Sequence, residues 1–263
     1  MSPFAAAFDA PNWIGVWTLY FREVRRFMKV YLQTVLAPIV TMLLFLAVFA
    51  LALGRAVNEV GGVPFVEFLA PGLVMMSIAQ NAFANTSSSI MMAKTQGNIV
   101  DNLMAPLTAN ELTLAYTMGG VTRGLVVGVV VWAAMLVVVP VDLRHPGYIL
   151  FHAVAASLML SLLGTIGGIW SDKFDHISAV THFVVTPLSF LSGTFYSIDR
   201  LPEAFRVLAH LNPFFYMIDG FRYGFIGHND APLGLGLAIL TLVNLVLWWV
   251  CYRMFATGYK LKT

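Results

Sequence analysis

Residues 30–54 read Val-Tyr-Leu-Gln-Thr-Val-Leu-Ala-Pro-Ile-Val-Thr-Met-Leu-Leu-Phe-Leu-Ala-Val-Phe-Ala-Leu-Ala-Leu-Gly, a run without a single charged side chain. A membrane-spanning helix needs about 20 apolar residues, because backbone polar groups find no water in hydrocarbon and must bond within the helix. This run therefore predicts a helix that crosses a lipid bilayer.

Five further stretches are apolar and long enough to cross a bilayer in the same way. They cover residues 68–93, 114–141, 147–171, 176–198 and 231–252. The whole chain, 1–263, is therefore interpreted as a single all-α integral membrane domain with six transmembrane helices.

The composition agrees with this interpretation, since 59% of the residues are hydrophobic and only 11% are charged. Water-soluble chains carry about 25% charged residues. Most of the surface of this protein is therefore expected to face membrane lipids. The net charge of +2 is too small to suggest a nucleic-acid partner.

The orientation follows from the distribution of Lys and Arg, which favour cytoplasmic loops. Six spans place both termini on one side, and ten of these residues, including every Lys, share that side. Both termini are therefore predicted to be cytoplasmic. The cytoplasmic set is Arg22, Arg25, Arg26, Lys29, Lys94, Arg123, Lys173, Arg253, Lys260 and Lys262, and the outer set is Arg55, Arg144, Arg200, Arg206 and Arg222.

Residues 1–29, before the first span, are predicted to contain an amphipathic helix. Apolar residues recur there at three- and four-residue steps, with basic residues between them. Such a helix lies in the cytoplasmic interface, either as a plain lipid anchor or as an anchor that also touches a partner. The apolar face holds Trp13, Trp17, Tyr20, Phe21, Val24, Phe27, Met28 and Tyr31, and the basic face holds Arg22, Arg25, Arg26 and Lys29.

Residues 97–111, between the second and third spans, predict an elbow made of two short helices. Ile99, Leu103 and Met104 have helical spacing, and Pro106 stops that helix. Thr108 and Glu111 have the spacing of a capping box, which starts the next helix. The elbow projects into the cytoplasm, either as a contact for a partner or as a simple connector.

Residues 199–230 interleave charged and aromatic side chains. Asn212-Pro213 divides this stretch into two short amphipathic helices, and neither is long enough to cross a bilayer. A re-entrant hairpin is therefore expected to lie at the outer leaflet or to dip back into it.

No residue pattern indicates ATP binding or catalysis. A phosphate-binding loop needs Gly directly before Lys, and glycine precedes none of the five Lys residues. The spans are almost free of the acidic groups that ion-coupled carriers use, and Arg123 is expected to snorkel to the cytoplasmic side. His152 and His182 are either axial haem ligands or simple hydrogen-bonding groups.

The second span carries a polar stripe that suits either hydrogen bonding between helices or the lining of a pathway. Its members are Gln80, Asn81, Asn85, Thr86, Ser87, Ser88 and Ser89.

Several local sequences resemble the permease subunits of ABC-2-type (type V exporter) ABC transporters. They are Phe190-Leu-Ser-Gly-Thr-Phe195, Leu201-Pro-Glu203, Leu211-Asn-Pro-Phe-Phe-Tyr216, Asp219-Gly-Phe-Arg-Tyr-Gly224 and the elbow Asp101-Asn-Leu-Met-Ala-Pro-Leu-Thr-Ala-Asn-Glu111. The resemblance covers essentially the whole chain and is greatest to the YadH-like and nodulation-exporter-like branch. One departure is Lys94-Thr-Gln-Gly-Asn98, where many relatives carry an acidic-Arg-acidic-Lys-Gly-Thr run.

The resemblance implies a subunit of the bacterial inner membrane that pairs with a second copy of itself. Each copy would dock a separate P-loop ABC ATPase, which alone uses ATP and Mg, so this chain would bind no cofactor or metal and catalyse nothing. An amphipathic or lipid-linked substrate would be exported between the two copies, past the first, second and fifth spans. The alternative is a stand-alone secondary carrier or channel, and a membrane enzyme or haem subunit is a third class.

Two groups of residues are expected to carry this function. Those expected to couple to the ATPase are Asn98, Asp101, Asn102, Leu103, Pro106 and Glu111 of the elbow with Arg22, Arg25 and Arg26 before the first span. Those expected at the gate or pathway are Pro187 and Gly193, which let the fifth span bend, and Asn212, Pro213 and Arg222 of the outer hairpin.

Overall fold

The computed structural model describes residues 11–54, 57, 59–60, 62–140, 142–198 and 201–261. Arg55, Arg200 and Lys262, on which part of the predicted orientation rests, lie outside the described residues. So do residues 1–10 and the predicted boundary residues Val141 and Asp199.

The described chain is helical apart from its connections and one short hairpin. Its α-helices are α1 (Trp13–Met28), α2 (Ala37–Leu53), α3 (Phe65–Thr95), α4 (Ile99–Met104), α5 (Ala109–Met135), α6 (Pro146–Trp170), α7 (Phe174–Val180), α8 (Thr186–Leu191), α9 (Glu203–Leu211), α10 (Pro213–Ile226) and α11 (Leu233–Thr257). Two π-helical turns, Leu32–Leu36 and Thr181–Val185, lead directly into α2 and α8. Strands β1 (Glu59–Val60) and β2 (Val63–Pro64) pair antiparallel before α3, with Glu59 opposite Pro64.

Five helical segments among the described residues are long and apolar enough to cross a membrane, judged by length and composition. They are Leu32–Ala52, Phe65–Thr95, Ala109–Met135, Pro146–Trp170 and Leu233–Thr257. Each lies where the sequence predicts a span, although the third begins five residues earlier than predicted and ends before Leu136. The protein is thus an all-helical integral membrane protein.

The predicted fifth span, 176–198, has a different form. Helix begins at Phe174, widens into π turns at Thr181–Val185 and ends at Leu191, seven residues before the predicted end. Pro187 cannot donate a backbone hydrogen bond, which weakens the regular α-helix just before it. Gly193 then takes a left-handed conformation with φ +74, and the helix cannot continue through it.

Helix α3 is the centre of the bundle and packs against α5, α6 and α10. Within its most apolar window 83% of the residues are buried, against 11% for the first span and 17% for α11. The first span and α11, at the periphery of the bundle, therefore expose apolar side chains, such as Leu44 and Leu242, that suit contact with lipid.

Small residues let α5 and α6 approach α3 closely. A Cβ added at Gly120 would lie 3.0 Å from the Ala82 carbonyl oxygen, and one added at Gly164 would lie 2.5 Å from the Phe83 carbonyl oxygen. Spacings of four residues between such glycines allow helix backbones to pack tightly in membranes. The glycines at these contacts are Gly120, Gly124 and Gly128 of α5 and Gly164 and Gly168 of α6.

The polar stripe of α3 mainly bonds helices to one another. Thr86 donates its hydroxyl to the Ser161 carbonyl oxygen at 2.8 Å, while Asn85 and Asn81 accept from Arg26 and Arg123 at 3.0 and 3.2 Å. These contacts favour the interhelical role over a pathway lining.

The two helices of the outer hairpin differ in burial. Helix α9 ends at Leu211 and exposes Phe205 and Leu208, as an amphipathic interface helix should. Helix α10 begins at Pro213 and is almost wholly buried against α3, α6 and α11. The break therefore falls at the predicted Asn212-Pro213 pair, and α10 is the part that dips into the bundle.

Candidate functional site: the elbow junction and the outer hairpin

The elbow is held to the start of α1 by one carboxylate. The predicted capping box is present, with the Glu111 Oε2 atom accepting from the Thr108 backbone N–H at 2.6 Å. The Glu111 Oε1 atom accepts from the Asn12 backbone N–H at 2.5 Å. Asn12 in turn caps α1, because its Oδ1 atom accepts from the Gly15 N–H. One side chain thus fixes the beginnings of α5 and α1 together.

A second link joins α4 to α1 and to α5. The Arg22 Nη1 atom donates to the Asn102 Oδ1 atom at 2.6 Å, and the Asn102 Nδ2 atom donates to the Tyr116 hydroxyl oxygen at 3.0 Å. The Tyr116 ring stacks on Phe255 of α11 with centroids 6.0 Å apart. Displacement of the elbow would therefore be transmitted to three helices.

Glu23 forms a charged junction between α1 and α3 that the sequence analysis missed. Its side chain is only 1% exposed and lies 3.5 Å from the Arg22 guanidinium and 3.3 Å from that of Arg26. Arg26 also donates to the backbone oxygen of Asn85 at 2.7 Å. The three-residue step from Glu23 to Arg26 was the available signal, since such pairs share a helix face.

The residues expected to couple to the ATPase differ in how far they are exposed. Asn98, Asp101, Pro106, Arg22 and Arg25 are exposed, whereas Asn102 and Glu111 are buried against this chain's own residues. Leu103 and Arg26 are half-buried. A docking face can therefore use the exposed residues directly, while Asn102 and Glu111 hold the elbow in place.

Two of the predicted gate residues, Arg222 of the outer hairpin and Gly193, are in direct contact. The Arg222 side chain is 1% exposed; its Nε atom donates to the Phe68 carbonyl oxygen at 3.2 Å, and its Nη2 atom donates to that of Gly193 at 2.6 Å. The guanidinium also lies 3.7 Å from the centroid of the Phe68 ring. Arg222 thus connects α10 to the start of α3 and to the turn after α8.

Asn212 makes a second connection between the hairpin and α8. Its Oδ1 atom caps α10 by accepting from the Phe214 N–H at 3.1 Å. Its Nδ2 atom donates to the carbonyl oxygen of Leu188, the residue after Pro187, at 3.1 Å. The Asn212 side chain therefore links the break before Pro213 to the end of α8.

Two carboxylates complete the outer cluster. Asp219 accepts from the backbone N–H groups of Asp230 and Ala231 at 2.8 and 3.1 Å. Asp230 accepts from Ser197 and from the Ile198 N–H, and lies 2.9 Å from the His228 Nε2 atom. The hydrogen bond to Asp230 raises the pKa of His228 against the opposing effect of burial. Burial alone would raise the pKa of Asp230, but the hydrogen bonds from His228 and Ser197 hold it below its ordinary value.

Two expectations about polar groups within the bundle need correction. Arg123 does not reach back towards the cytoplasmic end; because α5 begins at Ala109, Arg123 lies at its middle and donates to Asn81 of α3. His152 is packed too closely for a haem ligand, since a Cβ on Gly220 would lie 2.0 Å from its Nε2 atom. Its Nδ1 atom lies 2.8 Å from the Tyr148 carbonyl oxygen of the same helix.

Long apolar helices, an elbow of two short helices and a hairpin whose second helix is buried in the bundle define a multi-pass helical membrane protein. The sequence profile of the ABC-2 type transporter family matches residues 15–226, so the chain is a member of that family. Its family and the names of its relatives indicate a transport permease subunit, and its long apolar helices indicate a multi-pass membrane protein.

Two kinds of relative support this assignment. The chain is 38% identical over 251 residues to the inner membrane transport permease YadH of Escherichia coli K12, covering 95% of this chain and 98% of YadH. It is 26% identical over 249 residues to nodulation protein J of Rhizobium leguminosarum bv. viciae, covering 89% and 90% of the two chains. The predicted family and branch are thereby confirmed.

Proposed function

We propose that this chain is the membrane half of an ATP-driven exporter, with both termini cytoplasmic. Two copies form the transport pathway, and each seats its elbow in a separate P-loop ATPase that binds and hydrolyses ATP with Mg. The substrate is an amphipathic or lipid-linked molecule that leaves across the inner membrane. The observation that carries the proposal is the elbow, whose buried face is hydrogen-bonded to α1 and α5 while its opposite face is exposed.

The elbow can transmit force because its inner contacts are specific and short. A partner that pushes on the exposed side of α4 moves Asn102, and through it Arg22 and Tyr116. It also moves the start of α5, and with it the start of α1, because Glu111 of α5 is hydrogen-bonded to Asn12. Closure of the ATPases would therefore shift α1 and α5 together against α3.

The exposed Asp101 provides a direct test of docking. We expect Asp101→Lys to reduce co-purification of the ATPase about tenfold or more, because a reversed charge at a complementary interface is strongly unfavourable. The measurement is a mild-detergent pull-down from native membranes, with mass spectrometry and vanadate-sensitive ATP turnover. Asp142→Lys, at an exposed carboxylate between α5 and α6, is the matched control.

Two outcomes would contradict this part of the proposal. Equal recovery of the ATPase with both variants would remove Asp101 from the interface. Reproducible isolation of the wild-type chain without any ATPase would favour a stand-alone carrier or channel instead.

The proposed gate is tested at the π turn of the fifth predicted span. Phe183 is 80% exposed, as expected of a side chain that faces lipid or a second copy. In a Cys251→Ala background, we expect Phe183→Cys to cross-link two copies to an extent that changes at least severalfold between nucleotide-free and vanadate-trapped states. Leu242→Cys on α11, with a side chain 62% exposed, is the control. Cross-linking that ignores nucleotide would contradict a moving gate.

A further inference from the structure

A cavity of about 710 Å³ opens between α1, the end of α3 and the elbow. One wall is basic and is formed by Arg22, Arg25, Arg26 and Lys29 of α1. The opposite wall comes from α3 and includes Ser89 and Met92.

The basic wall has a positive charge that the chain itself does not neutralise. Four cations and a single carboxylate, Glu23, line the cavity, which leaves a net charge of +3. Glu23 already pairs with Arg22 and Arg26, whose guanidinium groups are further fixed by Asn102 and Asn85. Within the described part of the chain, Arg25 and Lys29 contact no acidic group. The cavity is therefore suited to an anion.

The surroundings of the cavity indicate that this anion belongs to a membrane molecule. Trp13, Trp17 and Phe21 of α1 are each more than half exposed, which is typical of aromatic side chains at a membrane interface. Phe21 also lines the cavity beside Arg22 and Arg25, and Met92 lines it from α3. A ligand in the cavity thus meets both cationic and apolar side chains.

We propose that this cavity binds the phosphate of one anionic membrane phospholipid. Arg25 and Lys29 contact the phosphate directly, while Arg26, held by Glu23 and Asn85, forms the back of the site. The acyl chains leave along the apolar face of α1. Because Arg22 of the same wall bonds to Asn102, the bound lipid lies beside the junction between α1 and the elbow. Arg25 is thereby assigned to the lipid rather than to the ATPase interface, and the site does not depend on the direction of transport.

The test uses the purified full-length chain in zwitterionic detergent, titrated with phosphatidylglycerol or phosphatidylcholine and followed by native mass spectrometry. Each basic residue near an anionic lipid contributes about fivefold to affinity. We therefore expect Arg25→Gln/Lys29→Gln to weaken phosphatidylglycerol binding about 25-fold. Lys173→Gln/Arg253→Gln removes two exposed cations outside the cavity and should leave binding unchanged.

Several results would overturn the proposal. The wild-type chain could fail to prefer phosphatidylglycerol, or both double variants could weaken binding equally, which would indicate general surface charge. Glycerol phosphate could displace the lipid at equal concentration, which would indicate a site for free phosphate. Unchanged lipid binding by Arg25→Gln/Lys29→Gln, with loss of a co-purifying protein, would assign these cations to a protein interface. Matching circular dichroism spectra of all variants control for folding.

Discussion

Replacement of Arg222 by leucine is expected to lower the free energy of unfolding by about 3–5 kcal/mol, the range for removal of one partner from a buried charged network. The change leaves the carbonyl oxygens of Phe68 and Gly193 without their donors in a buried place. It also removes a positive charge that acts on the carboxylates of Asp219 and Asp230. The outer hairpin would then lose the hydrogen bonds that Arg222 makes to α3 and to the turn after α8.

Chemical unfolding in detergent micelles, followed by tryptophan fluorescence, measures this effect. Arg222→Lys keeps the charge but loses the planar fork that reaches two carbonyl oxygens at once, so it should give an intermediate loss. Arg253→Leu replaces an exposed cation and should change the unfolding free energy by less than about 0.5 kcal/mol. A loss below about 1 kcal/mol for Arg222→Leu would show that Arg222 does not hold the hairpin.

Replacement of Gly164 by alanine is expected to have the second largest effect and to lower the free energy of unfolding by about 3 kcal/mol. Its Cβ would lie 2.3 Å from the Thr86 Oγ1 atom and 2.5 Å from the Phe83 carbonyl oxygen. Because one of these atoms belongs to the backbone of α3, the overlap can be relieved only by moving α3 and α6 apart. That movement would also break the hydrogen bond from Thr86 to Ser161.

Gly167 provides a matched control on the same helix. A Cβ there would meet the Phe83 ring at 3.8 Å, an ordinary van der Waals contact. Gly167→Ala should therefore stabilise the protein by about 0.5–1 kcal/mol, the gain in helix propensity. Comparable unfolding midpoints for the two alanine variants would contradict close packing of α3 on α6.

The positions of the spans and of the elbow could be predicted because each depends on neighbouring residues. Apolar runs of sufficient length indicate membrane helices whatever they pack against. The capping box at Thr108 and the break at Asn212 are likewise local, and the structure has both features at the predicted places. For the capping box and the break, the residues that produce the feature lie within four positions of one another.

The contacts of individual side chains could not be predicted in the same way. Nothing in the periodicity of α1 shows that Glu23 faces inward while Trp13 and Trp17 face outward, because both faces are compatible with an interface helix. Burial of α10 depends on a groove formed by α3, α6 and α11, which are distant in sequence. The role of Glu111 in holding Asn12 depends on a contact across 99 residues.

The two π turns have a shared consequence for how the bundle can change shape. Each ends two residues before a proline, at Pro38 and at Pro187, and each lies in a helix with many exposed side chains. A π turn accommodates one residue more than the α-helical turn that replaces it. Conversion of either turn to α-helix would advance the segment beyond it by about 1.5 Å and rotate it by about 100°. Such a register shift would re-aim α8, which follows the second turn, and would slide α2, which follows the first turn, along its contacts with α3.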